Sequence, residues 1–115
     1  MLTEYYCYCD KDTAFALQKL GYYPYMFYDD GMPAIHLWHA QKWLREEKKI
    51  DVLIEIECKD VHLSSKHYSV FISYMGRFMR RFQYLSNEFD SYEEALSEGI
   101  KEAVKILEQN EAIHE

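Results

Sequence analysis

Glycine, proline and cysteine are all scarce in this chain, with 4 Gly, 2 Pro and 3 Cys among 115 residues. So little Gly and Pro argues against long loops or disordered arms. Three cysteines, a small and odd number, make no disulfide framework and suit reduced thiols in a cytosol. No apolar run approaches the roughly 20 residues needed to cross a bilayer. The opening Met1-Leu2-Thr3-Glu4-Tyr5-Tyr6 has neither a basic n-region nor an apolar h-region, so no signal peptide is expected. Positive charge is in deficit too: 13 Lys and Arg face 20 Asp and Glu, a net charge of −7, which opposes a phosphate backbone. Also missing are a Gly-rich phosphate loop, a nucleophile elbow and an H-E-x-x-H helix. These absences lead to the expectation of a soluble cytoplasmic protein that is not an enzyme, holds no cofactor or metal, and uses neither membrane nor nucleic acid as its main partner.

What the chain does have is enough length for one domain spanning residues 1–115, with residues 1–11 and 109–115 expected to fray. Its hydrophobic fraction of 49% is ordinary, while the 17% aromatic share, with 11 Tyr, is high. Tyr has an apolar ring and a polar tip and suits core margins and interfaces. A short helix is expected from Asp12 to Leu20, capped by Asp12 or Thr13 and ended by Gly21. Tyr22 to Tyr28 is an aromatic run that Pro24 restricts to an edge strand or extended loop. Asp29-Asp30-Gly31 is turn chemistry. Pro33 suits a helix start, so a second helix is expected from Ala34 or Ile35 to Lys48, with Leu37, Ala40, Gln41 and Leu44 on one face.

Ile50 to Cys58 alternates cleanly: Ile50, Val52, Ile54, Ile56 and Cys58 on one face, Asp51, Leu53, Glu55 and Glu57 on the other. Lys59 to Lys66 turns the chain. A second strand, His67 to Tyr74, sets Tyr68, Val70, Ile72 and Tyr74 against Ser69, Phe71 and Ser73. Met75-Gly76 reverses the chain into a third strand, Phe78 to Leu85, whose alternation is poorer. Ser91-Tyr92-Glu93-Glu94 is a capping box that opens the last helix, with Tyr92, Ala95, Leu96, Gly99, Ala103 and Ile106 as its apolar stripe. The expected fold class is α+β: a three-stranded antiparallel β-meander flanked by helices, in the order α-(β)-α-β-β-β-α.

Pro33-Ala34 through Ala40-Gln41-Lys42-Trp43-Leu44-Arg45-Glu46-Glu47, followed by Ile50, resembles a segment of small hypothetical proteins carried by prophages and mobile elements of gut anaerobes. Phe89-Asp90-Ser91-Tyr92-Glu93-Glu94-Ala95-Leu96 resembles their second shared segment, and Asp12 to Tyr22 is similar to their N-terminal helix. The resemblance covers roughly residues 12 to 107. The layout is also distantly similar to the phage ABA sandwich domain, in which helices flank a small antiparallel sheet. The resemblance implies a fold and a genomic setting, and it brings no catalytic residues.

Three clusters are candidates for function. Cys7, Cys9, His36 and His39 are ligand types, but C-x-C spacing is not that of structural zinc sites, and the metal expectation is none. Lys66, Arg77, Arg80 and Arg81, with Phe78, Phe82 and Tyr84 nearby, form a basic aromatic patch of the kind that single-stranded nucleic acid stacks against. That alternative has the overall charge against it, and the Arg side chains could instead pair with Glu55 or Glu57, a carboxylate pair better read as the wet side of a sheet. Leu53, Phe71 and Met79 interrupt the polar face and are expected to be neighbours across the three strands. Such a cluster fits a modest protein interface. The leading expectation is therefore a protein-binding or assembly module, with a homodimer as one form of it, unless the N-terminal helix or the Tyr22–Tyr28 segment covers the cluster.

Overall fold

A computed structural model describes residues 7–58 and 66–114 of the chain. Helix α1 spans Lys11–Lys19, and its N-cap is Asp10 rather than Asp12 or Thr13. The Asp10 carboxylate accepts from the Thr13 amide at 2.7 Å, so the helix starts one residue earlier than expected. At the other end, Gly21 (φ +115°) donates to Gln18 and Tyr22 donates to Leu17, a Schellman closure that only the left-handed Gly permits without strain.

Strands β1 (Met26–Phe27) and β2 (Pro33–Ala34) form a small hairpin closed at Gly31, whose φ is +86°. The Asp30 carboxylate accepts from the Met32 amide at 3.0 Å and also meets Lys11 of α1. Pro33 thus belongs to a strand, not to a helix start. Helix α2 begins two or three residues later than expected and spans Leu37–Glu47. The cause is long-range: the Cys9 amide donates to the Ile35 carbonyl at 2.8 Å and Tyr8 bridges His36, holding residues 35–36 extended. The chain is therefore already tied down at Tyr8 and Cys9, residues expected to fray; residues 1–6 lie outside the described residues. His36 then caps α2, its Nδ1 accepting from the Trp38 amide at 3.2 Å.

This cap is pH-sensitive. Burial, and then neighbouring His39, hold the His36 imidazole below its ordinary value of 6.5. The unfolded chain takes up the proton more readily, so the stabilisation is complete above about pH 6.5 and is lost as pH falls through the folded value. Urea midpoints should drop between pH 7.5 and 5.5 in the wild type. His36→Asn, which keeps an acceptor at the cap without a titrating ring, should show a flatter profile; an equally steep one would refute the assignment.

Strands β3 (Ile50–Cys58), β4 (Lys66–Met75) and β5 (Arg80–Phe89) form the expected antiparallel meander, in the order β3-β4-β5. The connection expected from Lys59 onward lies outside the described residues. The third strand starts and ends later than Phe78 to Leu85, and a bulge between Tyr68 and Val70 of β4 shifts its far end. Helix α3 (Tyr92–His114) starts where the Ser91 hydroxyl accepts from the Glu94 amide at 3.1 Å, and it continues past residue 109, where fraying was expected.

The core lies between the sheet and the helices. Ile50, Val52, Val70 and Ile72 meet Leu37, Ala40 and Leu44 of α2 and Ala95, Leu96, Ile100 and Ala103 of α3, all buried. Gln41 anchors α2 to β3 by donating to the Val52 carbonyl at 2.8 Å. Leu17 and Ala14 of α1 join the same core, and Asp10 meets Lys101 of α3 at 3.0 Å. Burial would raise the Asp10 carboxyl, but the Thr13 and Lys101 hydrogen bonds outweigh it and hold the group below its ordinary range. No described helix is long and apolar enough to cross a membrane.

Candidate interaction face

Because side chains alternate along a strand, pairing fixes what shares each face of the sheet. Val52 opposes Ile72 and faces the helices, so Leu53, its partner Phe71 and Tyr84 opposite Phe71 form a row on the other side. The next row is Asp51, Ser73 and Phe82, and beyond it Arg80 pairs with Met75. On this outer face Leu53 is 45% exposed, Tyr84 49%, Met75 60% and Phe82 70%. Phe71 is half-buried, its ring 4.8 Å from that of Tyr84.

Several polar residues of the face are small or paired. Ser69 and Ser73 are buried between larger neighbours, and Tyr84 Oη donates to Ser69 Oγ at 3.4 Å. Arg80 reaches across β4, past Ser73, to Asp51 at 3.7 Å, and Arg45 approaches the same carboxylate at 4.0 Å. The result is an apolar centre with acidic residues, Asp51 and Glu55, along β3 and a basic one, Arg80, along β5.

Of the expected cluster, the structure brings Leu53 and Phe71 together and leaves Met79 out. Met79 sits in the turn before β5, where its carbonyl accepts from the Gly76 amide at 2.8 Å. The position it was expected to fill belongs to Tyr84. Sequence reasoning had grouped Phe82 and Tyr84 with the arginines instead. The parity of β5 was the signal, and it becomes readable only when the reversal is placed at residues 76–79. The N-terminal helix and the Tyr22–Tyr28 segment do not bury this face; α1 packs on β2 and α3.

The basic patch is dispersed. Lys66 starts β4 at the far end of the sheet from Met75, Arg80 is on the outer face, Arg81 opposes Tyr74 on the inner face, and Arg77 is in the turn, over the Phe78 ring at 5.4 Å. Arg80 pairs with Asp51.

Cys9 and His36 lie close in the fold and serve it structurally. Tyr8 and His36 share a face, with ring centroids 5.5 Å apart, so alternation turns Cys9 the other way, into the core. No group of three or more ligating side chains suited to a metal occurs among the described residues. Burial, then Asp10, push the Cys9 thiol up to about 12. Cys9 should therefore resist alkylation by iodoacetamide at pH 8 until denaturant is added, read by peptide mass spectrometry. Native labelling at the rate of a free thiol would contradict its placement.

An open depression of ≈ 730 Å³ lies where α1, the hairpin and the start of α3 meet. Among its charged lining residues, Asp10 and Glu98 meet Lys101, and Asp30 meets Lys11. No family model, no curated protein and no solved structure matches this chain.

Proposed function

We propose that the chain is a non-catalytic protein-binding module that docks a protein partner through the outer face of its three-stranded sheet, in the prophage or mobile-element setting that its sequence resemblance implies. One observation carries this reading: Leu53, Phe71, Phe82 and Tyr84 form a continuous apolar surface with no described element over it. Exposed apolar side chains scattered singly need no explanation, but a contiguous patch with a charged rim is how interfaces are built. The surface is also rich in aromatic residues, which dominate binding energy at interfaces. Nucleic acid is the weaker reading, since the arginines point in different directions and Arg80 is held by Asp51.

Phe82→Asp is the direct test, because the ring is 70% exposed and the change removes little packing within the chain. The variant should keep the wild-type circular dichroism and melting temperature. It should lose association by about tenfold or more, the scale of a central interface residue, in light scattering of the protein alone and in pull-downs from host lysate. Unchanged association in both measurements would overturn the proposal.

A further inference from the structure

We infer that the partner of the outer face is a second copy of this chain, packed face to face about a two-fold axis that runs along the strands. The inference rests on the protein-binding reading above and adds the occupant and its geometry. A two-fold interface places one patch against itself, so the patch must be self-complementary. Here the charges lie on opposite sides of an apolar centre: Asp51 and Glu55 on β3, Arg80 on β5. Rotation about an axis parallel to β4 lays β3 of one copy over β5 of the other and leaves the rows in register. Leu53 then faces Tyr84 of the second copy, Phe71 lies over Phe71 near the axis, and Arg80 stands one row, about 7 Å along the strand, from Asp51 of the second copy.

The other two-fold within the plane, perpendicular to the strands, lays β3 on β3 and brings Asp51 toward Glu55, acid on acid. Like charges set against each other in an interface cost several kcal/mol, so the charge pattern selects the first axis. Strands of the two sheets also run the same way about that axis, as in aligned sheet packing, which needs side chains that fill a gap of about 10 Å. Phe71, Phe82, Tyr84, Leu53 and Met75 are the size that gap requires. Each large aromatic residue buries about 150–250 Å². With Phe82 and Tyr84 at 70% and 49% exposure, and Leu53 and Met75 at 45% and 60%, the face offers on the order of 400–500 Å² of apolar surface per partner, which places the dimer among small, reversible interfaces, below the roughly 800 Å² per partner of a standard one. The Arg80–Asp51 pair at 3.7 Å is long enough to exchange partners between copies without breaking a tight bond.

The test uses two variants of the full chain, Asp51→Lys and Arg80→Glu, with Asp51→Asn, which removes the charge without reversing it, replacing the first if it fails to fold by circular dichroism. In the parallel-axis arrangement each variant alone sets like charges against each other, and dimerisation should weaken at least tenfold in sedimentation velocity. Mixed one to one, they should form a heterodimer, because each new charge then faces its opposite on the other copy. An exchange of charges confined within one chain cannot produce that rescue. A dimer abolished by Phe82→Asp but not rescued by mixing would overturn this geometry and leave the protein-binding reading standing. A wild type that stays monomeric up to millimolar concentration, yet captures another protein in a Phe82-dependent way, would overturn the second copy as occupant.

Discussion

Gly99→Ala is expected to destabilise the protein by about 1–3 kcal/mol, although alanine is the better helix former by about 1 kcal/mol. Gly99 faces the sheet from α3, and a Cβ there would collide with Cγ1 of Val52 and stand 2.9 Å from Cγ1 of Val70. Both valines are buried in the middle of their strands, so neither has room to retreat. Helix and sheet would have to separate, and the loosening would spread to Leu96, Ile100 and Ala103 along the same stripe. The check is a double-mutant cycle in urea. Val52→Ala alone leaves a cavity and costs stability; combined with Gly99→Ala it vacates the space the new methyl needs. The double variant should be more stable than the sum of the single changes by about 1 kcal/mol or more. Additive losses would mean that the close approach of α3 is not what Gly99 provides.

The second large effect separates the two faces of the sheet. Ile72→Ala, fully buried against the helices, should lose about 2–5 kcal/mol, while Phe82→Ala on the other face should change stability by less than about 0.5 kcal/mol. At this chain length a loss of 1 kcal/mol lowers the melting temperature by about 4 °C, so Ile72→Ala should melt at least 8 °C below wild type. Both variants are compared at low micromolar concentration, where self-association adds little to apparent stability. Similar losses from the two substitutions would show that the outer face is covered within the chain.

Elements with strong local signals were legible in the sequence. The alternation of Ile50 to Cys58, the capping box at Ser91 and the left-handed exit at Gly21 each depend on neighbours within one turn or one strand. The second helix was misplaced at its start because Pro33 fits a first helical turn and a strand edge equally well. What decides between them is the pairing of Tyr8 and Cys9 with residues 35–36, some 27 positions away in sequence. Thr13 and Asp12 are good cap residues in composition, but Asp10 is the cap, its carboxylate accepting from the Thr13 amide and also meeting Lys101. The last strand was the hardest to read for a different reason. Its inner face carries Arg81, Gln83 and Leu85 and its outer face Arg80, Phe82 and Tyr84, so hydrophobicity points away from the core. The inner Gln83 is satisfied instead by donating to Glu102 of α3 at 2.8 Å. That inversion is why Met79, rather than Tyr84, looked like the third member of the apolar cluster, and it is also what makes the outer face unusual.

The link from Asp10 to Lys101 has a consequence for how the molecule is made. The meander forms from strands adjacent in sequence, a topology that closes early. Helix α1 packs on the nearby β2, but its cap is steadied by a residue near the other end of the described chain, and part of its buried face rests on α3. During synthesis the side of α1 that meets α3 therefore waits uncovered until the closing helix has left the ribosome. A stalled or truncated product would carry that oily surface uncovered, which is the kind of species chaperones and proteases recognise.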